Sequence, residues 1–488
     1  MSFRKIAVSG VKWTTLGTFG GALFQILQIS ILTRFLPKEA FGLVAMALFV
    51  VNLSNIFVDM GMSSAILHHQ NATRNEYSSI YWLNIIVSLF LYILLCILTP
   101  LIATFYNEGE LNKLVPILGI NLLLIAAGRQ HRTILQKQFK FRTIALTESF
   151  SYFFGLLSAV ILAINNYGVY SLAYSTLFSS FISNSAFLIL NLRKNPVSLR
   201  FRYKETLSFI KIGGFTMGST FLDFFSREID ILIIGKMLGA ESLGIYSLAK
   251  QIVLKLYAIV NPIITNVLNP LLSSIQKEKE KIRQYYLKIV SLLAIINFPI
   301  YLLIVILSKE ILFILYGSDY ITGYRILAFF AIAYSVNTIS NPVGSLQIAT
   351  GRTDIGFKWT IIRVLITPLF IFLASFYSIE VTAAAIALLS VILIIPMWWL
   401  QLKPMSNIKL KEYLLQFYRP FLFFLLIASV YLVFMNSFNL RFNLFINSAI
   451  KGSLCMLLFF GLLWITDNQK VIELRNLIFS IIKSKKSL

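Results

Sequence analysis

Apolar runs of about twenty residues, cut by short polar breaks, occupy most of this chain. A helix needs about that length to cross a bilayer. Strand-type crossings would instead show alternating segments of about ten residues. Windows of this width predict spans at 13–33, 40–61, 79–104, 114–128, 145–165, 168–191, 208–235, 243–269, 286–307, 325–349, 357–377, 380–402, 419–436 and 445–466. The fourth run is short, and the seventh and tenth are polar for spans. The expected fold is an all-α polytopic membrane protein of about fourteen transmembrane helices.

Composition agrees with the pattern. Hydrophobic residues make up 58% of the 488 residues, charged residues 13%, and the mean hydropathy is +0.79. Soluble domains carry about 25% charged residues, so a cytosolic enzyme is excluded, and so is a disordered chain, which must be poor in hydrophobes. Cys96 and Cys455 each lie inside an apolar run, which argues against a disulfide scaffold.

The formal net charge of +23 is not spread evenly. With the N-terminus placed inside, and residues at span edges counted with the adjoining loop, 31 Lys and Arg fall inside, 8 outside and 4 within spans. The acidic residues divide as 8, 7 and 5 in the same order. The excess therefore sits on one face, the bias that places both termini in the cytoplasm. Membrane topology accounts for the basic balance, and no nucleic-acid partner is expected. Arg4, Lys5 and Lys12 precede the first run, but no small-residue cleavage site follows it, so an uncleaved first helix is expected. The stretches 129–144, 192–207 and 271–285 read as charged helix extensions inside the cell. The tail 467–488 pairs an apolar set (Val471, Leu474, Ile478, Ile481) with Lys483, Lys485 and Lys486, which suits an anionic leaflet.

At an offset of 202 residues, segments 34–47 and 236–249 align without a gap, with Leu36/Leu238, Glu39/Glu241, Gly42/Gly244 and Ala47/Ala249 identical. The offset equals six predicted spans, an even number, so the copies keep one orientation and form parallel repeats. The expected organisation is a six-helix lobe over 1–191, a linker over 192–207, a second six-helix lobe over 208–402, two further helices over 403–466 and the basic tail 467–488. Gly17-x-x-x-Gly21 and Gly214-x-x-x-Gly218 are expected to make close helix contacts.

Charges at bilayer depth cost at least about 2.5–3.5 kcal/mol on insertion scales, so they mark cavities or partners. Span seven holds Asp223, Arg227, Glu228 and Asp230, with Ser219, Asp223, Arg227 and Asp230 on one helical face. Span eight holds Tyr246, Lys250, Tyr257, Asn261 and Thr265 on one face, with Lys255 to one side. Spans one and two offer Thr18, Gln25, Gln28, Asn52, Asn55 and Asp59. Glu148 enters span five, Asn337 and Asn341 lie in span ten, and Arg363 lies in span eleven. Asp223 and Arg227 are also spaced to neutralise one another as an i,i+4 pair. The aggregate of both signs within the spans favours a wet central cavity. No metal-binding or nucleotide-binding motif occurs, and His68, His69 and His131 read as surface residues of cytoplasmic loops. With small outer loops and no catalytic cluster, transport is the expected activity, and no catalytic or metal residue is named.

Five segments resemble the polysaccharide-transporter branch of the multidrug/oligosaccharidyl-lipid/polysaccharide flippase superfamily, in particular its Wzx-type, WzxC-like members. They are Leu36-Pro37-Lys38-Glu39-Ala40-Phe41-Gly42-Leu43, Asp59-Met60-Gly61-Met62-Ser63-Ser64-Ala65, Leu135-Gln136-Lys137-Gln138-Phe139-Lys140-Phe141, Leu238-Gly239-Ala240-Glu241-Ser242-Leu243-Gly244-Ile245-Tyr246-Ser247-Leu248-Ala249 and Leu346-Gln347-Ile348-Ala349-Thr350-Gly351-Arg352-Thr353-Asp354. The resemblance implies a flippase of the bacterial plasma membrane. It would move undecaprenyl-diphosphate-linked oligosaccharide units of O-antigen, capsule or exopolysaccharide to the outer leaflet by alternating access of the two lobes. On that implication, Lys250, Arg363, Lys255 and Arg227 are expected to contact the diphosphate. Gln25, Gln28, Asn52, Asn55, Tyr257, Asn261, Asn337 and Asn341 would offer hydrogen bonds to the sugar. Asp59, Glu148, Asp223, Glu228 and Asp230 are the candidates for gating ion pairs or for coupling to a proton or sodium ion, with no other cofactor. Membrane lipids, a polysaccharide polymerase and a chain-length regulator are the implied partners of a monomer. A multidrug exporter or a flippase of lipid-linked peptidoglycan precursor, both of the same superfamily, are the alternatives.

Overall fold

The structure is a computed structural model that describes residues 3–69, 71–192, 197–276, 278–434 and 444–486. The described residues form helices joined by short turns, with no strand among them. In chain order the helices are α1 (Phe3–Leu32), α2 (Lys38–Asp59), α3 (Met62–His68), α4 (Arg74–Tyr106), α5 (Leu111–Lys137), α6 (Phe141–Ile164), α7 (Tyr170–Leu192) and α8 (Tyr203–Ser274). There follow α9 (Lys279–Ile306), α10 (Ser308–Tyr316), α11 (Tyr324–Ser340), α12 (Pro342–Thr350), α13 (Thr353–Ser375) and α14 (Ile379–Ile392). The last are α15 (Ile394–Met397), α16 (Lys403–Ser406), α17 (Leu410–Leu415), α18 (Tyr418–Phe434) and α19 (Leu444–Lys486).

Twelve helical segments among the described residues are long and apolar enough to cross a bilayer. The count differs from fourteen at two places. The runs 208–235 and 243–269 both fall in the 72-residue α8, which is interrupted at Gly239, where φ is 79° and ψ is 176°. An unbroken helix of that length would reach about 108 Å, far beyond a core of about 30 Å. The run at 419–436 contains Tyr418–Tyr431, apolar but shorter than the other crossing helices, and residues 435–443 lie outside those described. Large apolar side chains along α4, such as Phe90 (62% exposed), Ile97 (69%) and Leu101 (68%), face outward. Only hydrocarbon makes such a surface favourable. The chain is a multi-pass membrane protein.

Two compact units divide the chain, one of Met1–Leu248 with Arg363–Ile379 and one of Ala249–Ile362 with Glu380–Leu488. In the first, α5 is the central element and packs against α2, α4 and α7, while α1 packs along α6. Small residues set the α1–α6 approach: a Cβ on Gly17 would lie 2.8 Å from that of Ala145, and Gly21 faces the Tyr152 ring. The expected close contact is therefore present at Gly17 and Gly21. It is not present at Gly214 and Gly218, where an added Cβ meets no described atom; the neighbouring Gly213 makes the contact instead, against Met60 and Gly61. Helix α4 begins on a capping box in which Thr73 Oγ1 accepts from the Glu76 amide at 3.3 Å and the Thr73 amide donates to Glu76 Oε2 at 2.7 Å.

The repeated segments meet each other within this unit. A Cβ on Gly42 would overlap the Ala240 carbonyl oxygen, and a Cβ on Gly244 would overlap the carbonyl oxygen of Lys38. Under the offset of 202 residues, Lys38 corresponds to Ala240 and Gly42 to Gly244, so the two contacts are images of one another. Lys38 Nζ also lies 3.7 Å from Glu241. A local two-fold relation of the copies, expected for parallel repeats, is thus built into the backbone at these glycines.

In the second unit α9 is central, packed against α11, α18 and α19. The Phe298 ring, fully buried, stacks at a tilt on Phe421 (5.6 Å) and Phe424 (5.4 Å). Arg283 Nη2 reaches Glu412 of α17 at 2.5 Å. Asp467 interrupts α19 with φ −156° and ψ 62°. The tail's apolar set and its lysines fall beyond that break, where side chains lie outside those described.

Candidate functional site

A group of charged side chains in the first unit gathers where α2 and α6 meet α5. Arg129 of α5 places Nη1 at 3.4 Å from Asp59 Oδ1 and donates from Nη2 to Asn55 Oδ1 at 2.7 Å. Asp59, the last residue of α2, also accepts from the Ser63 hydroxyl at 2.6 Å. One turn along α5, Arg132 Nε donates to Glu148 Oε1 of α6 at 2.7 Å. Tyr152, one turn beyond Glu148, hydrogen-bonds Gln25 of α1 and lies near both Glu148 and Arg132. Gln28 donates to Ser175 Oγ of α7 at 3.0 Å. Helices α1, α2, α3, α5 and α6 thus contribute polar groups to one region, and the two arginines, three residues apart, share a face of α5.

Four of the residues named from sequence, Gln25, Asn55, Asp59 and Glu148, belong to this group; Gln28 instead meets Ser175, about 13 Å along α7 from Asn184, which faces Gly128. Asn52 is exposed. The cations of the group, Arg129 and Arg132, were read from sequence as part of a cytoplasmic extension starting at residue 129. Helix α5 does continue through them to Lys137, and there they pair with Asp59 and Glu148. His131, between them in sequence, is fully buried and sits 3.3 Å from Asn191, which corrects its reading as a surface residue. His69 is likewise packed on Phe209, with ring centroids 4.4 Å apart.

The first part of α8 resolves its charges locally. Arg227 makes two contacts with Asp223, Nη2–Oδ2 at 3.1 Å and Nε–Oδ1 at 3.2 Å, the i,i+4 neutralisation that the spacing allows. Asp230, 3% exposed, accepts from the Tyr246 hydroxyl at 2.6 Å and from the Ile231 amide at 2.9 Å. The hairpin at Gly239 brings Tyr246 back to Asp230. Glu228 and Arg363 are half-buried.

In the second unit Lys250 is buried, while Lys255, Tyr257 and Asn261 are half-buried. Tyr257 packs edge-on to Tyr334 at 5.8 Å. Asn337 is exposed and Asn341 half-buried. A further pair escaped the sequence reading as a pair: Lys451 of α19 and Glu310 of α10, each 7% exposed by side chain, meet at 2.8 Å. Lys451 also lies 6.0 Å from the Tyr431 ring centroid. Glu310 lies between predicted spans and Lys451 near the start of the last one, where an isolated Lys in an apolar run was the only signal available.

No group of three or more His, Cys, Asp or Glu positioned for a metal ion occurs among the described residues. Chemically, the first-unit group offers two guanidinium forks, two carboxylates and several hydroxyls and amides within the membrane. That set suits reversible ion pairing and recognition of an anionic, hydroxyl-rich ligand.

Comparison with known proteins bears on what such a group serves. Residues 31–325 match the family described as polysaccharide biosynthesis protein. The teichuronic acid biosynthesis protein TuaB of Bacillus subtilis is 31% identical over 86% of this chain and 87% of its own length. The lipopolysaccharide biosynthesis protein WzxC of Escherichia coli is 25% identical over 86% of each. Among solved structures, the lipid II flippase MurJ in an inward closed conformation aligns with a TM-score of 0.71 at 17% identity, over 92% of this chain and 98% of that one. An inward-facing multidrug resistance transporter of the MATE family aligns at 0.59 and 14% identity, over 87% and 98%. These likenesses show the fold of the multidrug/oligosaccharidyl-lipid/polysaccharide superfamily.

Proposed function

The chain belongs to the polysaccharide biosynthesis protein family, and on that premise we propose that it is a flippase for oligosaccharide units carried on a prenyl diphosphate lipid. It moves them from the inner to the outer leaflet of a bacterial plasma membrane by alternating access, with both termini in the cytoplasm. The lobes over 1–191 and 208–402 are the moving parts in this reading. The observation that carries it is the polar group of the first unit, in which Arg129 and Arg132 engage Asp59 and Glu148 among the apolar helices α2, α5 and α6. Charges at bilayer depth are costly, and these keep side chains 20–43% exposed, open to a ligand rather than sealed between helices. Lys250, Lys255, Arg363 and Arg227 remain proposed contacts of the diphosphate. Asp223, Glu228 and Asp230 remain proposed gating or coupling groups, with H+ or Na+ as the proposed coupling ion. A polysaccharide polymerase and a chain-length regulator are the proposed protein partners of a monomeric transporter.

Deletion of the gene tests the reading. Loss of one surface polysaccharide, with its lipid-linked repeat unit accumulating on the inner leaflet, is the expected result. Intact surface glycan together with altered drug sensitivity would overturn it in favour of an exporter.

A further inference from the structure

Arg129 and Arg132 lie near one end of the membrane layer. Arg129 is eight residues before the end of α5 at Lys137, about 12 Å by helical rise. Asp59 closes α2, and Glu148 is seven residues into α6, about 10 Å from its start. These positions lie within about 12 Å of the helix ends, toward one face of a hydrocarbon core of about 30 Å. In the proposed orientation that end faces the cytoplasm, where a lipid-linked glycan is made and where its headgroup lies.

The ion pairs there are built to be exchanged. The Arg129–Asp59 contact, at 3.4 Å, is longer than the 2.7–2.9 Å of a charge-assisted hydrogen bond. Arg132 is 43% exposed by side chain even though its contact with Glu148 is short. A guanidinium fork fits phosphate as well as carboxylate. Asp59 keeps the Ser63 hydroxyl and Arg129 keeps Asn55 Oδ1 on exchange, while Glu148 is 28% exposed by side chain. A single phosphate needs one fork. Two forks one turn apart on the same face suit an anion with two adjacent phosphorus centres.

We propose that Arg129 and Arg132 capture the diphosphate of the lipid-linked substrate at the cytoplasmic end, its phosphates replacing the Asp59 and Glu148 carboxylates as the arginines' partners. This rests on the flippase reading. The carboxylates are the resident competitors of the substrate, and they hold the forks in place while the site is empty. Gln25 with Tyr152, beside Glu148 and Arg132, lies where the first sugar would follow.

The test is calorimetric titration of inorganic diphosphate into the purified full-length protein in nanodiscs, with monophosphate as the control. The wild type is expected to bind diphosphate at least tenfold more tightly than monophosphate. Arg129→Ala with Arg132→Ala should weaken diphosphate binding at least tenfold, whereas Asp59→Asn with Glu148→Gln should tighten it several-fold. That second, opposite effect is what a purely structural pair of salt bridges would not give. If the alanine pair does not fold, Arg129→Lys with Arg132→Lys carries the comparison, keeping charge without the fork and weakening binding several-fold. Absence of diphosphate binding by the wild type, unchanged binding in the arginine variants, or weaker or unchanged binding in the carboxylate variants overturns the proposal. Complementation of the deletion strain separates the two levels. Should the arginine variant restore surface glycan fully at normal abundance, the capture site fails and the flippase reading stands. Should deletion itself leave surface glycan intact, the flippase reading fails.

Discussion

The two units hold their charges in opposite ways. In the first, Arg129 and Arg132 meet Asp59 and Glu148 with side chains between 20% and 43% exposed, one contact long and one short. In the second, Lys451 and Glu310 meet at 2.8 Å with both side chains 7% exposed, and Glu310 Oε2 accepts no hydrogen bond among the described residues. A buried pair is stabilising only relative to losing one partner, because the remaining charge is then stranded in a medium that cannot solvate it. A half-exposed pair loses little when it opens. The contrast separates a clasp that fixes α19 to α10 from contacts that a ligand can compete for.

Removing half of the clasp is the strongest way to break this comparison. Lys451→Met should cost about 3–5 kcal/mol by leaving Glu310 buried and alone, read as a large fall in melting temperature of the detergent-solubilised protein. Adding Glu310→Leu should restore most of that loss, since an apolar pair of similar volume is often as stable as a buried ion pair. A cost below about 1 kcal/mol for the single variant would put Lys451–Glu310 in the same class as the first-unit pairs.

The first unit is not loose throughout, and its glycines sharpen the contrast. Gly42→Ala and Gly244→Ala each force a methyl group against a backbone carbonyl, of Ala240 and Lys38 respectively. Each should cost about 1–3 kcal/mol, the range for overpacking, and the two costs should match because the contacts are related by the repeat. Gly214→Ala and Gly218→Ala meet no described atom and should be neutral or add up to about 1 kcal/mol through helix propensity. Thermal melts of the four variants check both halves of this expectation. By comparison Glu148→Gln, at a half-exposed pair, should change stability by less than about 1 kcal/mol while altering anion affinity.

What the sequence revealed and what it concealed follow from the range of the signals. Apolar run length located the helices because it is local, and the 202-residue offset marked the repeated segments, though not that Gly42 would meet Ala240 and Gly244 meet Lys38. The α8 break was written in Gly239, which supports a φ that other residues resist. Asp223 and Arg227 were readable as a pair because four residues separate them. Arg129 and Arg132 were not, since hydropathy ended the fourth span just before them, and Asp59 lies 70 residues away in sequence. The unused signal was charge matching. Asp59 and Glu148 sit in spans two and five, and two arginines at i and i+3 on the edge of span four were there to meet them. Lys451 and Glu310, 141 residues apart, were hidden for the same reason. The two glycine motifs looked alike on the page because a small-residue spacing does not say which neighbour will approach it.

The weakest effect expected is a shift with pH at the half-buried link between α9 and α17. Hydrogen bonding to the Arg283 guanidinium holds the Glu412 carboxyl below the usual carboxylate range. A carboxylate whose pKa is lowered by folding contributes stability above its unfolded value, about 4.3, and that contribution fades as pH falls through the lowered folded value. The wild type should therefore lose melting temperature between pH 5 and pH 3 (roughly the range spanning those values) slightly faster than Glu412→Gln, which carries no charge to titrate. The two should differ most at neutral pH and converge in acid. Curves that stay parallel across that range would mean that the 2.5 Å contact adds nothing to the anchoring of α17. The second unit would then depend on the buried clasp and on the Phe298 stack for its hold on the C-terminal helices.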